Sequence, residues 1–289
     1  MASPRTTVID RALPFSNPYV RKKGGTRVQD LPVQDVLALL SGGIVGFTLG
    51  LIGGGGSIVA VPLLLYLVGM PDPHVVIGTT SVAVAANALT ALLPHARAGN
   101  VRWAVAGVFS AFGMAGAALG SMFGKAFDGQ KLLLLFAVLM LVIAGLMLRP
   151  RGAGRPGGGG LTGQGMAKLA GVGGCVGGLA GFFGIGGGFL IVPGLILATG
   201  MPMLEAVGTS LVSVTAFGLT TAASYALSGL VVWKVAGLFV VGGLGGGVLG
   251  SRIAGRLAAR RQRLAQVFAG VIVVVALYMM VRGVMALTG

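Results

Sequence analysis

The chain has 289 residues, of which 55% are hydrophobic and only 9% charged, with a formal net charge of +15 and a mean hydropathy of +0.95. A soluble domain carries about 25% charged residues, so this composition excludes a water-facing globule and places the chain in a membrane. The basic excess sits in a tail and in particular loops, where topology and anionic headgroups account for it without nucleic acid. The lone cysteine, Cys175, excludes an intrachain disulfide and a cysteine-based metal site.

Residues 1–35 are polar and basic through Arg5, Arg11, Arg21, Lys22, Lys23 and Arg27, too long and polar for an ordinary secretory signal, and are expected to be a retained, disordered tail. Apolar runs then follow at 36–52, 58–68, 75–93, 103–123 and 132–148. After a Pro-, Gly- and Arg-bearing linker (149–168), they recur at 169–183, 189–199, 206–227, 232–250 and 264–287. None alternates with period two, which excludes a β-barrel, and the total leaves room for about eight to ten spans. His74 and His95 fall between or beyond these runs and are expected as solvated loop residues.

The chain matches itself. Gly42, Gly46, Gly50, Gly53, Gly55, Gly56 and Pro62 correspond to Gly173, Gly177, Gly181, Gly184, Gly186, Gly187 and Pro193 at an offset of 131. "GMP" recurs at 69 and 200. After a one-residue deletion "GTTS" at 78 matches "GTSL" at 208, Gly99 matches Gly229, Trp103 matches Trp233, and "LGS" at 119 matches "LGS" at 249. The predicted architecture is therefore an all-α polytopic membrane protein of two homologous repeats, 36–148 and 169–289, each with four to five membrane segments. The run after each glycine cluster is too short to span a core of roughly 30 Å as a helix, so it reads as a glycine-broken or re-entrant segment. If all five segments change sides the repeats are inverted; if the short run is re-entrant they are parallel. The arginine-rich stretch at 252–263 favours the inverted arrangement.

Two features point to a site for a small anion. Broken backbone inside a bilayer survives only where it is buried or lines a cavity, and a helix that starts there presents free N–H groups to an anion. Gly53, Gly54, Gly55, Gly56 and Ser57 in the first repeat, and Gly184, Gly186, Gly187 and Gly188 in the second, are the candidates. The helices after them carry neutral polar residues: Thr79, Thr80, Ser81 and Asn87, with Thr90, in one, and Thr209, Ser210, Ser213, Thr220 and Ser224 in the other. Phe217 stands at the position of Asn87. The six acids, Asp10, Asp30, Asp35, Asp72, Asp128 and Glu205, all lie outside the apolar spans, which argues against a cation carrier. Asp72 and Glu205 come after the "GMP" motifs and read as solvated acids or gate residues. The small-xxx-small series Gly42-Gly46-Gly50, Gly173-Gly177-Gly181, Gly116-Gly120 and Gly246-Gly250 predict close helix packing. Enzyme and phosphate-loop motifs are absent, and no cofactor is expected.

The paired breaks "GGGGSIVAVP" and "GIGGGFLIVP", each followed by "GTTS" or "GTSL" and a glycine ahead of a matched tryptophan, resemble the TauE/SafE sulfite exporter family over residues 36–287. The resemblance implies a bacterial inner-membrane transporter of sulfite, sulfoacetate or other organosulfonates. An anion channel or a membrane-embedded subunit of a larger assembly is the alternative. The partners expected are a small anion and the lipid bilayer, with a homodimer as a further option.

Overall fold

The computed structural model describes residues 31–148, 163–184, 188–256 and 261–288; residues 1–30 of the tail and most of the linker lie outside it, as do Gly186 and Gly187, while residues 31–35, expected in the tail, open the first helix. Residues 32–289 form one compact unit. Its helices are α1 (Leu31–Ile52), α2 (Ala60–Pro62), α3 (Pro73–Arg97), α4 (Trp103–Ala126), α5 (Gly129–Leu148), α6 (Gly163–Phe183), α7 (Gly188–Thr199), α8 (Met203–Leu227), α9 (Trp233–Arg256) and α10 (Arg261–Thr288). Among the described residues α1, α3, α4, α6, α8 and α9 are long and apolar enough to cross a membrane, and shorter apolar helices accompany them. The fold is thus all-α and polytopic.

Helix ends obey local chemistry. Asp72 caps α3, its carboxylate accepting from the His74 and Val75 amides at 2.9 and 3.3 Å. It therefore serves the helix as an N-cap rather than standing as a free acid. α3 runs on through Pro94 to Arg97, so His95, expected in a loop, is a buried helical residue. A proline ring near a C-terminus removes one backbone bond and leaves the last turn in place. Every positive-φ residue among the described ones is a glycine, and all six fall into matched pairs: Gly53 and Gly184, Gly69 and Gly200, Gly99 and Gly229. The two halves turn their chain at equivalent places. Gly53 and Gly184 end α1 and α6 in the left-handed conformation that only glycine adopts without strain.

Beyond the break the two halves differ. The second continues as the regular helix α7, 12 residues long, which reaches only about 18 Å. The first passes through a 3₁₀ stretch (Gly53–Val59), the single turn α2 and a π turn (Leu63–Leu67). Four successive glycines lack the side chains that hold a helix in one register. Both segments pack against each other in the interior.

The halves interlock instead of sitting side by side. A Cβ added to Gly42, Gly46 or Gly50 of α1 would run into the backbone of Phe239, Gly243 or Gly247 of α9. Gly173, Gly177 and Gly181 of α6 meet Phe109, Gly113 and Ala117 of α4 in the same way. The first long helix of each half therefore lies in backbone contact with the fourth segment of the other. In lipid this is a main source of association, because small residues allow dispersion contacts and Cα–H···O bonds along the whole seam.

Direction can be read from the same contacts. Rising residue numbers match along both glycine seams, so α1 runs parallel to α9 and α6 parallel to α4. The equivalent helices α3 and α8 are antiparallel: Gly78 packs against the Leu230 carbonyl beyond the end of α8, and Gly208 against the Asn100 carbonyl beyond the end of α3. Homologous helices that run in opposite directions make the halves inverted. α1 and α3 then point the same way, and the broken segment between them carries the chain back across the layer.

This arrangement has a direct test. With Cys175 replaced by alanine, cysteines placed at Gly99 and at Ser228 should react with a membrane-impermeant thiol reagent from opposite sides of the membrane. Labelling of both from one side would contradict it.

Candidate functional site

The centre of the molecule is the crossing of α3 and α8. Gly218 of α8 meets Ala85 of α3, and the repeat offset carries this pair to Ala88 and Thr215, so the two-fold relation is centred beside Asn87 and Phe217. These two positions differ most in chemistry. Phe217 presses its ring on Gly113 of α4 and stacks on Phe109 with centroids 6.0 Å apart. Asn87 presses its carboxamide on Gly243 of α9, the equivalent glycine. The residue is 1% exposed, and neither its Nδ2 nor its Oδ1 has a hydrogen-bond partner. An amide buried without partners costs about 1–3 kcal/mol for each unsatisfied group, so a fold that keeps one has a use for it. The offer is two N–H donors and one acceptor at mid-depth, closed to both faces in this conformation.

The other predicted polar residues form two matched groups that flank this centre. Thr79 and Thr209 clamp the opposite half: the Val232 amide donates to Thr79 Oγ1 at 3.0 Å, and the Arg102 amide donates to Thr209 Oγ1 at 3.0 Å. Each threonine thus holds the turn that leads into the other half's fourth segment. Thr80 donates to the Val76 and Ile77 carbonyls, and Ser210 to the Val207 carbonyl. Ser81 donates to the Ile77 carbonyl and, at 2.7 Å, to the carbonyl of Gly184, which ties α3 to the break in the other half.

The breaks themselves sit off-centre, on opposite sides. Gly184 lies against Ile77 and Gly53 against Val207, each about 15 Å along its helix from the level of Asn87 or Phe217. Gly54 and Gly55 form the 3₁₀ stretch with Gly56 and the buried Ser57. At Gly56 the chain folds back on α1, so that a side chain there would strike the Thr48 and Leu49 backbone. Gly188 is buried at the start of α7. The structure therefore places Asn87 alone at the centre, with Gly184, Thr79, Thr80 and Ser81 toward one face and Gly53, Thr209 and Ser210 toward the other.

Three features were not legible in the sequence. Arg102 Nε donates to Glu205 Oε2, an ion pair that joins the turn before α4 to the first turn of α8. Glu205 is thus paired across the halves, on the same face as the Thr209 clamp. Lys234 and Asp35 pair at 2.7 Å on the opposite face, joining α9 to α1. A row of polar contacts also runs down the α4–α8 seam: Ser110 with Ser213 and Ser121 with Ser224, each at 2.9 Å. The pairs share a separation of 103 residues, which no repeat offset announces. A 670 Å³ groove between α4 and α6 is apolar, is lined by Leu119, Phe123, Phe127 and Phe182, and lies away from Asn87. It faces outward, as a surface for lipid chains does.

Known proteins share this sequence pattern. The model of the family described as sulfite exporter TauE/SafE matches residues 38–279. A probable membrane transporter protein of Xylella fastidiosa (strain Temecula1) is 49% identical over 248 residues, 86% of this chain and 95% of its own. The probable membrane transporter protein YunE of Bacillus subtilis is 30% identical over 75% of this chain and 88% of its own. One from Haemophilus influenzae is 28% identical over 67% and 74%. No solved structure matches significantly.

Proposed function

The chain belongs to the sulfite exporter TauE/SafE family and is a multi-pass membrane transporter, and from that premise we propose that it exports a small sulfur-containing oxyanion, such as sulfite, sulfoacetate or another organosulfonate. The observation that carries this reading is Asn87: a partnerless amide at the centre of an inverted pair, with no carboxylate at that depth among the described residues to attract a cation. Of the four described acids, Asp72 and Asp128 lie just before helices, and Asp35 and Glu205 lie within the first five residues of α1 and α8. An oxyanion takes hydrogen bonds from the Asn87 Nδ2 group.

The interlock sets the mechanism. The Thr79 and Thr209 clamps close opposite faces, and transport releases them in turn as α3 and α8 shift against each other. The face bearing Arg97, Arg102 and the end of α9, with Arg252 and Arg256, is the cytoplasmic one by the distribution of positive charge among the described residues. Substrate enters from that face and leaves beside Ser228 and Lys125.

In proteoliposomes, sulfite or sulfoacetate flux should saturate and show counterflow, while taurine, which carries a compensating ammonium, and lactate should move far more slowly. Non-saturating flux without counterflow would identify a channel. Equal flux of all four compounds would remove the oxyanion reading.

A further inference from the structure

At the end of the α4–α8 seam a second polar cluster stands apart from Asn87. Lys125, in the last turn of α4, donates to the Ser224 carbonyl and to Ser228 Oγ, both at 3.0 Å, and lies 5.8 Å from the centroid of the Tyr225 ring. Among the described residues it forms no ion pair, unlike Arg102 and Lys234. Two of its three ammonium donors are used, which leaves one and the full positive charge. On the adjoining face of α8 the Tyr225 and Thr221 hydroxyls are buried, each residue 0% exposed, and neither has a partner. Gly218, Thr221 and Tyr225 share one stripe of α8, packed against α3 at Ala85 and Gly78. Ser121 and Ser224 continue the cluster inward.

The fold does not require this chemistry. The equivalent positions in the other half hold Gly255 for Lys125, Ala91 for Thr221, Pro94 for Ser224 and His95 for Tyr225, and that half packs its seam without them. A cation with a spare donor over the Tyr225 ring, and two buried hydroxyls with nothing to bond one helical turn apart on the same stripe, are groups that an oxyanion can satisfy together.

We propose that Lys125, Tyr225 and Thr221 form a second anion site, on the face where Ser228 lies, that takes the same small oxyanion as it leaves Asn87. The inference rests on the oxyanion reading and adds a direction to it. The station exists on one face only, so the affinity met by substrate from the two sides differs.

The test measures sulfite uptake into right-side-out and everted membrane vesicles carrying the full chain, so that each face is sampled in turn. Lys125→Gln should raise the KM for sulfite met from the Lys125 face about tenfold, the loss of roughly one charge-assisted contact. The KM met from the Arg102 face should stay unchanged. Lys125→Arg should retain most of the wild-type asymmetry. Tyr225→Phe and Thr221→Val keep the ring and the shape, and should raise the same KM severalfold; they carry the test if Lys125→Gln does not insert. A KM that rises equally from both faces would mean a structural role and overturn the proposal, as would no change from the Lys125 face. Wild-type vesicles that move no oxyanion from either face would remove the reading beneath it, and the second site with it.

Discussion

Leucine at Gly46 or at Gly177 is expected to abolish the folded protein. Each glycine stands at the middle of a seam where two backbones touch: a Cβ at Gly46 would occupy the carbonyl of Gly243, and one at Gly177 the carbonyl of Gly113. An ordinary overpacked core absorbs an extra methylene for about 1–3 kcal/mol by moving a side chain. Here the obstacle is main chain, and relief requires separating α1 from α9 or α6 from α4. Separation would break the contact that fastens each half to the other. Fluorescence-detected size-exclusion chromatography should show the monodisperse peak lost in both variants. Alanine at Gly107 or Gly237, the matched glycines that have nothing within 4 Å of a new Cβ, should leave the peak unchanged. Loss of the peak in one seam variant but not the other would show that the halves do not depend on each other in this way.

The glycine spacings announced that seams exist, because a four-residue period puts Gly42, Gly46 and Gly50 on one face of α1. They could not announce the facing helix, since spacing along one stretch of chain carries no information about its partner. The cross-half pairing emerges only from the contacts with Phe239, Gly243 and Gly247. The asymmetry at the centre was legible in advance: a self-alignment that sets Phe217 against Asn87 marks the place where two otherwise matched halves diverge. The roles of Thr79 and Thr209 were not. Both look like site hydroxyls on a helix face, yet their partners are loop amides more than 100 residues away. His95 reads as a loop residue because the apolar run stops at Pro94, while a proline late in a helix removes only one bond of its hydrogen-bond ladder.

Asn87→Leu is expected to move stability and transport in opposite directions. Leucine reproduces the branched shape of asparagine and replaces two unsatisfied polar groups by methyl groups, in a place where neither has a partner. Substituting apolar atoms for buried unpaired ones is neutral or stabilising, by up to about 1–3 kcal/mol for each group relieved. The melting temperature of the purified variant should therefore equal or exceed that of the wild type. Counterflow of sulfite should fall by at least tenfold, because the only partnerless amide at mid-depth among the described residues is gone. A protein that becomes more stable as it stops working has lost a group kept for function. Asn87→Leu with lowered stability and normal counterflow would assign the amide a structural role instead.

Whether the Asn87 amide holds the transported oxyanion is decided by binding. A ligand that binds only the folded state stabilises it by about 2.7 kcal/mol at a hundred times its dissociation constant. Thermal unfolding of purified wild type and of Asn87→Leu should be followed against rising sulfite concentration. The wild-type transition is expected to rise with concentration, and that of the variant markedly less, since only the Lys125 site remains there. An equal rise in the two proteins would contradict the assignment of Asn87 as the binding group.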